Sequence, residues 1–274
     1  MTDTHDSAAR HSVVRVRHEV RLRELAVRRV DHVTPQMLRV TLGGEALQGF
    51  ISAAPDDHVK VFFPAPGSAR PVLPTGPPGS ASAAGPQPIA RDYTPRRIDL
   101  QARELEIDFV LHGDGPAAQW AAQARVGQSL AIGGPRGSFV VSDDFDWYLL
   151  VGDETALPAI GRRLDELRAD TQAQVIVEVA DAAEQQSLQT RAALNVSWLH
   201  RDGASPGGVE PLLAAVRALT LPPGDGYVWI AGESHVAKAL REHLLAERGL
   251  PKAWIKAAGY WKHDAVATHE THND

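Results

Sequence analysis

Residues 147–159, with the sequence WYLLVGDETALPA, decide the fold class of the second half of the chain. Residues 147–151 form a compact apolar run with the length of a buried strand, and a helical pattern follows over residues 157–169. The alternation continues with strands predicted over residues 174–180, 196–199, 226–231 and 254–258, and with helices over residues 208–219 and 235–248. Alternating strands and helices favour a parallel sheet with helices on both faces. We therefore predict a doubly wound parallel-sheet domain over residues 146–262.

The preceding part of the chain, residues 21–145, has a different rhythm of short β-like runs separated by turn signals. Two clear turn signals are Gly43-Gly44 and Gly133-Gly134-Pro135. The runs cover residues 25–30, 37–42, 58–63, 98–100, 105–111 and 130–132. Short strands at this spacing are typical of small antiparallel barrels. We predict a six-stranded antiparallel β-barrel with Greek-key connections, so that the chain combines a β domain with an α/β domain.

Three segments follow neither pattern. Residues 1–20 are polar and are predicted to be flexible, as is the tail over residues 263–274. Residues 64–89 consist mainly of Pro, Gly, Ser and Ala, a composition that cannot bury enough apolar surface to order itself. We predict a mobile surface loop there, between two barrel strands. The histidines of the tail have neither the spacing nor the neighbouring carboxylates of a metal site, so no metal is predicted.

Composition narrows the function classes. The 274-residue chain has no cysteine, which excludes disulfides, thiolate zinc sites and cysteine-ligated iron–sulfur clusters, so an electron carrier would have to be another group such as a flavin. The net charge of −6 disfavours nucleic acid as a partner. The sequence contains neither an apolar run of about 18 residues nor a secretory signal. We expect a cytoplasmic monomer without stable membrane association.

The first candidate binding motif is RDYTPR, residues 91–96. Strand alternation points Arg91 and Tyr93 to one face. An arginine in this position can bind a diphosphate while the neighbouring aromatic ring stacks on a flavin, and the Thr94 hydroxyl or backbone N–H can reach a ring nitrogen. The alternative is an exposed strand with a surface arginine.

The second motif is HGDGPAAQWA, residues 112–121, where a strand ends, two glycines turn the chain, and Pro116 occupies a plausible first helical position. The free N–H groups of that helix start form an anion site suited to a diphosphate. A plain connection between strand and helix explains the pattern equally well.

The third motif, residues 152–155 within GDETALPAI, joins the first strand of the second half to its helix, where nucleotides bind in doubly wound sheets. The glycine fingerprint of dinucleotide-binding folds is absent. Because Asp153 and Glu154 would repel a diphosphate, we expect only backbone contacts, from Thr155 onward.

Two further strand ends are candidates. The segment IAGES, residues 230–234, can face a nicotinamide or substrate, or it is an ordinary helix start with Ser234 as its cap. The aromatic pair Tyr260 and Trp261 in AGYWK can cover a flavin face or close the core.

Six segments occur in a characteristic order, namely RDYTPR, DFVLHGDGPAAQWA, IGGPRGSF, GDETALPAI, WIAGE and AGYW. Together they resemble the siderophore-interacting protein family, the NAD(P)H-dependent ferric siderophore reductases of the ferredoxin-reductase-like superfamily. The resemblance spans about residues 20–262. It implies an FAD-binding barrel over residues 21–145, followed by an NAD(P)H-binding α/β domain over residues 146–262.

The resemblance also implies site residues. By position, the expected FAD contacts are Arg91, Tyr93, Thr94, His112, Ala117 and Ala118. The expected borders of the nicotinamide dinucleotide are Gly152, Asp153, Glu154 and Thr155, with Gly232 and Glu233 near its ring. Basic side chains that would attract an anionic ferric siderophore are Lys60, Arg136 and Lys262, where Lys262 replaces an expected arginine. Solvated surface charge is the alternative for these three.

The implied reaction transfers a hydride from NAD(P)H to FAD and then single electrons to siderophore-bound Fe(III), with intracellular release of iron. No catalytic side chain is predicted, because the flavin carries the chemistry. Two alternatives stay open, namely a general NAD(P)H-dependent flavin or ferric reductase and a non-catalytic module that binds FAD or a siderophore. Glu178 and Asp181 favour NADH, whereas Arg191 and Arg201 leave a 2′-phosphate, and hence NADPH, open.

Overall fold

A computed structural model of the protein describes residues 10–74, 87–113, 115–263 and 270–271. The N-terminal half is built on one antiparallel sheet, whose strands are β2 (Leu22–Thr34), β3 (Met37–Gly43), β4 (Val59–Phe63), β5 (Ile89–Tyr93), β6 (Arg97–Asp99), β7 (Glu104–Val110) and β8 (Ser129–Gly133). Their order in the sheet is β5-β4-β8-β2-β3-β7-β6. A short helix, α1 (Pro116–Ala122), follows β7.

The sheet curls around an apolar core as the alternating sequence predicts. Val27, Val40, Val61 and Ile107 are fully buried on its concave side. The antiparallel fold is confirmed, but the sheet has seven strands rather than six and is open, with β5 and β6 as its two edges. The additional strand is β5, which carries the polar binding motif; strand alternation was assigned to it, but its polar sequence kept it out of the six apolar runs.

Part of the predicted N-terminal flexible segment is ordered. Residues 13–17 form β1 (Val13–Arg17), which pairs antiparallel with β9 (Gly137–Val141) in a separate two-stranded sheet. The His11 imidazole stacks on Phe145 at 4.2 Å between ring centroids and contacts carboxylates of Asp144 and Asp225. The prediction is therefore wrong for residues 10–17, because backbone pairing with β9 orders β1 although its side chains are mostly exposed. Residues 1–9 lie outside the described part.

The other two segments predicted to be flexible are only partly described. In the loop over residues 64–89, residues 75–86 lie outside the described part, Pro64 forms an isolated bridge with Pro71, and residue 89 already belongs to β5. In the C-terminal tail, residues 264–269 and 272–274 lie outside it. The two residues between them form β15 (Glu270–Thr271).

The C-terminal half is a sheet of order β12-β11-β10-β13-β14-β15. Its strands are β10 (Trp147–Asp153), β11 (Gln172–Val179), β12 (Ala193–His200), β13 (Gly226–Glu233), β14 (Ile255–Trp261) and β15. The first five are parallel, and β15 is antiparallel to β14. The helices between them are α2 (Leu157–Glu166), α3 (Val209–Ala218) and α4 (Ser234–Ala246).

Strand β10 shows why this half is doubly wound. Tyr148 and Leu150 pack in the cluster that includes α2, whereas Leu149 and Val151 pack in the cluster that includes α3 and α4. Because both faces are covered, the strand has no polar alternation, as expected of a buried parallel strand. The predicted doubly wound sheet is confirmed. Among the residues that the structure describes, no helix has the length and apolarity needed to span a membrane.

Candidate FAD and nicotinamide site at the seam of the two sheets

A cavity of about 400 Å³ lies between the two halves of the chain. The N-terminal half contributes β4, β5, the end of β7 and the first turn of α1, and the C-terminal half contributes the β10–α2 turn and the end of β14. A volume of this size is typical of small-molecule sites. Of the predicted residues, those that line the cavity are Lys60, Arg91, Tyr93, Thr94, His112, Ala117, Ala118, Thr155 and Lys262, together with the candidate aromatic pair Tyr260 and Trp261.

The predicted RDYT motif forms one wall. The Tyr93 ring packs against Phe109 at 4.5 Å and Phe63 at 6.2 Å between centroids, and burial raises the pKa of its hydroxyl. The Arg91 guanidinium donates to the Ala90 carbonyl at 2.7 Å, which uses one of its five N–H groups. This wall therefore places a fixed aromatic ring beside a guanidinium whose other N–H groups can donate to a ligand.

The start of α1 forms the second part of the wall, as the sequence predicts. Gly115 is the N-cap residue, and Pro116 occupies the first turn. Ala117 is buried against the sheet core, and Ala118 lies beside it on the cavity. Small side chains here let a ligand approach the backbone closely.

An acidic residue that the motif analysis did not assign also lines this wall. Asp108 is almost fully buried and accepts hydrogen bonds from Arg39 Nε at 2.7 Å and Nη2 at 2.8 Å. These hydrogen bonds raise the pKa of Arg39. A carboxylate within the apolar run of β7 is the signal that would have identified it, because buried carboxylates are rare unless paired. His58, Val110 and Pro158 were likewise not predicted.

Asp153, at the end of β10, organises the opposite wall without lining the cavity. Its Oδ1 accepts from the backbone N–H of Thr155 at 2.9 Å and from the Thr155 hydroxyl at 2.5 Å, and its Oδ2 accepts from Trp261 Nε1 at 2.7 Å. Burial raises the pKa of this carboxyl, and neighbouring Glu154 adds to the effect. Thr155 and Trp261 are thus both held at the cavity by one buried carboxyl.

Gly232 makes room for that arrangement. Its φ of +150° lies at the edge of the range that favours glycine, and a Cβ there would lie 2.7 Å from Asp153 Oδ2. Gly152, Asp153, Gly232 and Glu233 surround a second, much smaller cavity of about 10 Å³ rather than the large one. The Asp153 carboxyl is turned into the fold, in line with the expectation that this motif would offer only backbone contacts to a diphosphate.

Glu233 and Glu154 also have partners within the protein. Glu233, not Ser234, caps α4, since its carboxylate accepts from the backbone N–H groups of His235 at 2.6 Å and Val236 at 3.1 Å. Glu154 pairs with both terminal nitrogens of Arg201. Among the predicted residues of the third motif, only Thr155 therefore reaches the large cavity.

Arg201 is the centre of a buried ion cluster at the carboxyl edge of the sheet. Besides Glu154, it contacts Glu178 at 3.3 Å, and all three side chains are at least four-fifths buried. Hydrogen bonding to Glu154 raises the pKa of Arg201, whereas burial raises that of Glu178. Arg201 and Glu178, which pointed to opposite choices of nucleotide, are thus paired with each other. Asp181 caps a short 3₁₀ turn, and Arg191 is exposed.

The three predicted substrate-binding cations are distributed unequally. Lys60 and Lys262 both line the large cavity. Lys60 Nζ donates to Asp92 Oδ1 at 2.8 Å, so its charge is partly balanced. Arg136 is exposed on the β8–β9 connection and is not among the lining residues. The structure therefore brings two of the three together.

Polar contacts across the seam set the distance between the cavity walls. Arg162 on α2 donates to the Ser52 hydroxyl and carbonyl, both at 2.8 Å, and to the Pro95 carbonyl at 3.3 Å. Lys256 on β14 pairs with Asp56 at 2.5 Å, and Asp56 also accepts from Trp229 Nε1 at 3.1 Å. Two independent connections thus join the halves of the site.

Comparison with protein families agrees with this two-part architecture. A model described as siderophore-interacting FAD-binding domain matches residues 26–139, and a model described as siderophore-interacting protein matches residues 145–264. The chain belongs to the siderophore-interacting protein family. The resemblance inferred from the six segments is confirmed.

Individual relatives of this siderophore-interacting protein cover almost its whole length. It is 41% identical over 251 residues to an NADPH-dependent ferric-chelate reductase of Escherichia coli K12, covering 90% of this chain and 95% of the relative. It is 34% identical to the ferric vibriobactin reductase ViuB of Vibrio cholerae, covering 85% and 87%. A siderophore utilization protein from T. fusca superposes with a TM-score of 0.87 at 40% identity, covering 94% and 98%.

The residues at the seam of this siderophore-interacting protein fit the FAD that its family model implies. The cavity has the volume for a planar ring system, aromatic side chains in Tyr93, Tyr260 and Trp261, and a cation in Arg91. A hydride donor bound at the carboxyl edge of the parallel sheet would approach from the side of Thr155. The two halves of the chain therefore each contribute one wall of the cavity.

Proposed function

We propose that this protein is an FAD-dependent NAD(P)H:ferric-siderophore oxidoreductase. The observation that carries the proposal is the cavity between an FAD-binding domain and a doubly wound sheet, with walls contributed by both. When bound there, FAD would accept a hydride from NAD(P)H and pass electrons singly to Fe(III), so that one NAD(P)H reduces two ferric ions. Reduction weakens the hold of an oxygen-rich chelator on the iron.

In this proposal the chain binds, orients and shields. Arg91 and the start of α1 bind the diphosphate, Tyr93 supports the flavin ring, and Thr94 donates a hydrogen bond to it. His112, Ala117 and Ala118 lie along the rest of FAD. Of the residues predicted to border the dinucleotide, Asp153 acts indirectly, because its carboxylate positions Thr155 and Trp261.

The positive charge at the cavity suits an anionic ferric chelate. Lys60 and Lys262 flank the cavity, and the exposed Arg136 would extend the same attraction outward. Because the chain as a whole has a net charge of −6, such a patch concentrates the substrate at one point of the surface. We propose that the protein works as a cytoplasmic monomer without nucleic-acid partners, and that the nucleotide is NADH or NADPH.

Anaerobic rapid mixing tests the proposal. The FAD-loaded protein is mixed with NADH or NADPH, and bleaching of the visible absorbance band of the flavin is followed. Ferric siderophores or free flavins are then added, and reoxidation is compared. Faster reoxidation by ferric siderophores supports the proposal, and faster reoxidation by free flavin indicates a general flavin reductase. Absence of bleaching with both nucleotides indicates a binding module, and failure to bind FAD rejects the proposal.

A further inference from the structure

An ion pair between two adjacent strands borders the large cavity. Lys60 on β4 and Asp92 on β5 lie directly opposite each other in the antiparallel register, and Lys60 Nζ donates to Asp92 Oδ1 at 2.8 Å. Both side chains line the cavity. Backbone pairing of the two strands fixes this neighbourhood. The cation that is proposed to attract the substrate therefore always has a carboxylate beside it.

The formal charges of the side chains that line the cavity almost cancel. Among the described residues, the lining cations and carboxylates are Lys60, Arg91, Lys262, Asp92 and Asp108. Asp108 is paired with Arg39, and Arg91 is the proposed partner of the FAD diphosphate. The charge that is left for a substrate is that of the two lysines minus that of Asp92. With His58 counted as neutral, the substrate meets one net positive charge.

The ion pair is accessible enough to exchange its partner. The side chain of Lys60 is 43% exposed and that of Asp92 is 24% exposed. Pairs that water reaches in this way contribute little to stability, so an anionic ligand can replace Asp92 as the partner of Lys60. The Asp92 carboxylate remains on its strand next to the ligand after this exchange, and it then repels the ligand.

The size of that repulsion depends on the charge of the ligand. Coulomb energy is proportional to the product of the two charges, so one carboxylate has little effect on an uncharged chelate and its largest effect on a polyanion. Ferric siderophores differ in this property. A tris-hydroxamate complex of Fe(III) has an uncharged metal centre, whereas a tris-catecholate complex is a trianion. Asp92 therefore lowers the affinity of the site for the catecholate complex selectively.

We propose that Asp92 is a specificity-determining residue that, through its position beside Lys60, restricts this site to ferric chelates of low negative charge. Hydroxamate-type complexes belong to that class, and trianionic tris-catecholate complexes do not. This inference rests on the proposed function, because it requires that a ferric siderophore binds at the seam cavity. It names the class of siderophore within that activity.

Gallium complexes test the inference without electron transfer, since Ga(III) has the charge of Fe(III) and is not reduced by FAD. The FAD-loaded protein is titrated calorimetrically with an uncharged Ga(III) tris-hydroxamate and with a Ga(III) tris-catecholate. Wild type should bind the hydroxamate complex at least as tightly as the catecholate complex. Asp92→Asn should bind the catecholate complex about tenfold more tightly at low ionic strength, with less than about a twofold change for the hydroxamate complex. The gain should shrink as salt is added.

Asp170→Asn is the matched control. It removes the same charge from an exposed ion pair, between Arg168 and Asp170 at 3.2 Å, and neither residue lines the cavity. Both affinities should stay unchanged in this variant. A wild-type preference for the catecholate complex, an equal change of both affinities in Asp92→Asn, or an equal gain in Asp170→Asn overturns the inference. Unchanged affinities in Asp92→Asn also overturn it, whereas wild-type protein that binds neither gallium complex rejects the proposed function instead.

Discussion

The two regions predicted to bind cofactors differ in how they are built. On the side of the antiparallel sheet, Arg91, Tyr93 and Thr94 border an open cavity of about 400 Å³. At the carboxyl edge of the parallel sheet, Asp153, Glu233 and their neighbours enclose only about 10 Å³. The first region holds a space open, whereas the second fills its space with paired carboxylates.

This difference between the two regions shows that a motif at a strand end need not contact a ligand directly. The carboxylates at the sheet edge bind backbone N–H groups, an indole and a guanidinium of the same chain. Buried charges of this kind must be paired to be tolerated. The sheet edge therefore acts as a support that places Thr155 and Trp261 against the cavity. Four variants test this contrast.

The largest expected effect comes from Arg201→Met at the sheet edge. It leaves the carboxylates of Glu154 and Glu178 buried without their cation, which costs about 3–5 kcal/mol of the free energy of unfolding at pH 7. Burial already raises the pKa of Glu178, and loss of Arg201 raises it further. The native state then binds the extra proton, so the loss shrinks as the pH falls from 7 to 5.

Urea unfolding of Arg201→Met and wild type at the two pH values measures this effect. Arg191→Met, at an exposed position, is the control and should change stability by less than about 0.5 kcal/mol. Equal stability of Arg201→Met and wild type at pH 7 would contradict a structural role for the ion cluster.

Trp261→Phe tests the residue that belongs to both regions. The variant removes the donor to the buried Asp153 Oδ2, which should cost about 1–3 kcal/mol in the free energy of unfolding. Trp198→Phe on β12 removes a similar volume from a half-buried position and serves as control. Thermal or urea unfolding measures both. A loss no larger than that of the control would mean that the indole–carboxylate hydrogen bond contributes nothing.

Arg162→Met tests whether the open region depends on the seam. Loss of three hydrogen bonds to Ser52 and Pro95 should let the walls separate and weaken FAD binding about tenfold, or about 1.4 kcal/mol. Calorimetric titration of FAD into the flavin-free protein measures it. Arg97→Met, on an exposed side chain with a 3.7 Å ion pair, should leave the dissociation constant unchanged. Equal affinities in both variants would show that the cavity keeps its shape without Arg162.

Lys262→Met should have the smallest effect. Removing one cation from the cavity rim is expected to raise the KM for an anionic ferric siderophore about threefold, with kcat unchanged, because the charge acts on binding alone. The difference should shrink as salt rises. Steady-state rates at two ionic strengths measure it, with Lys238→Met on the exposed face of α4 as control. A fall in kcat instead would place Lys262 in the electron-transfer step.

The sequence sufficed for the fold class and for most of the large cavity. The uninterrupted apolar run of β10 predicts a strand that is buried on both faces, and Gly115-Pro116 predicts the start of α1. Both features depend on residues adjacent in the chain. Strand β1 could not be found this way, because its pairing partner β9 lies more than 100 residues away and its side chains are mostly exposed.

The order of the family motifs and the residue types around the large cavity were determined by the sequence alone, since they lie in short contiguous segments. Only the tertiary structure decided where the charged side chains of those segments point. Asp153, Glu154 and Glu233 have the same sequence context whether they face a ligand or the interior. Their partners Trp261 and Arg201 are distant in sequence, and a buried carboxylate takes the direction in which a donor is available.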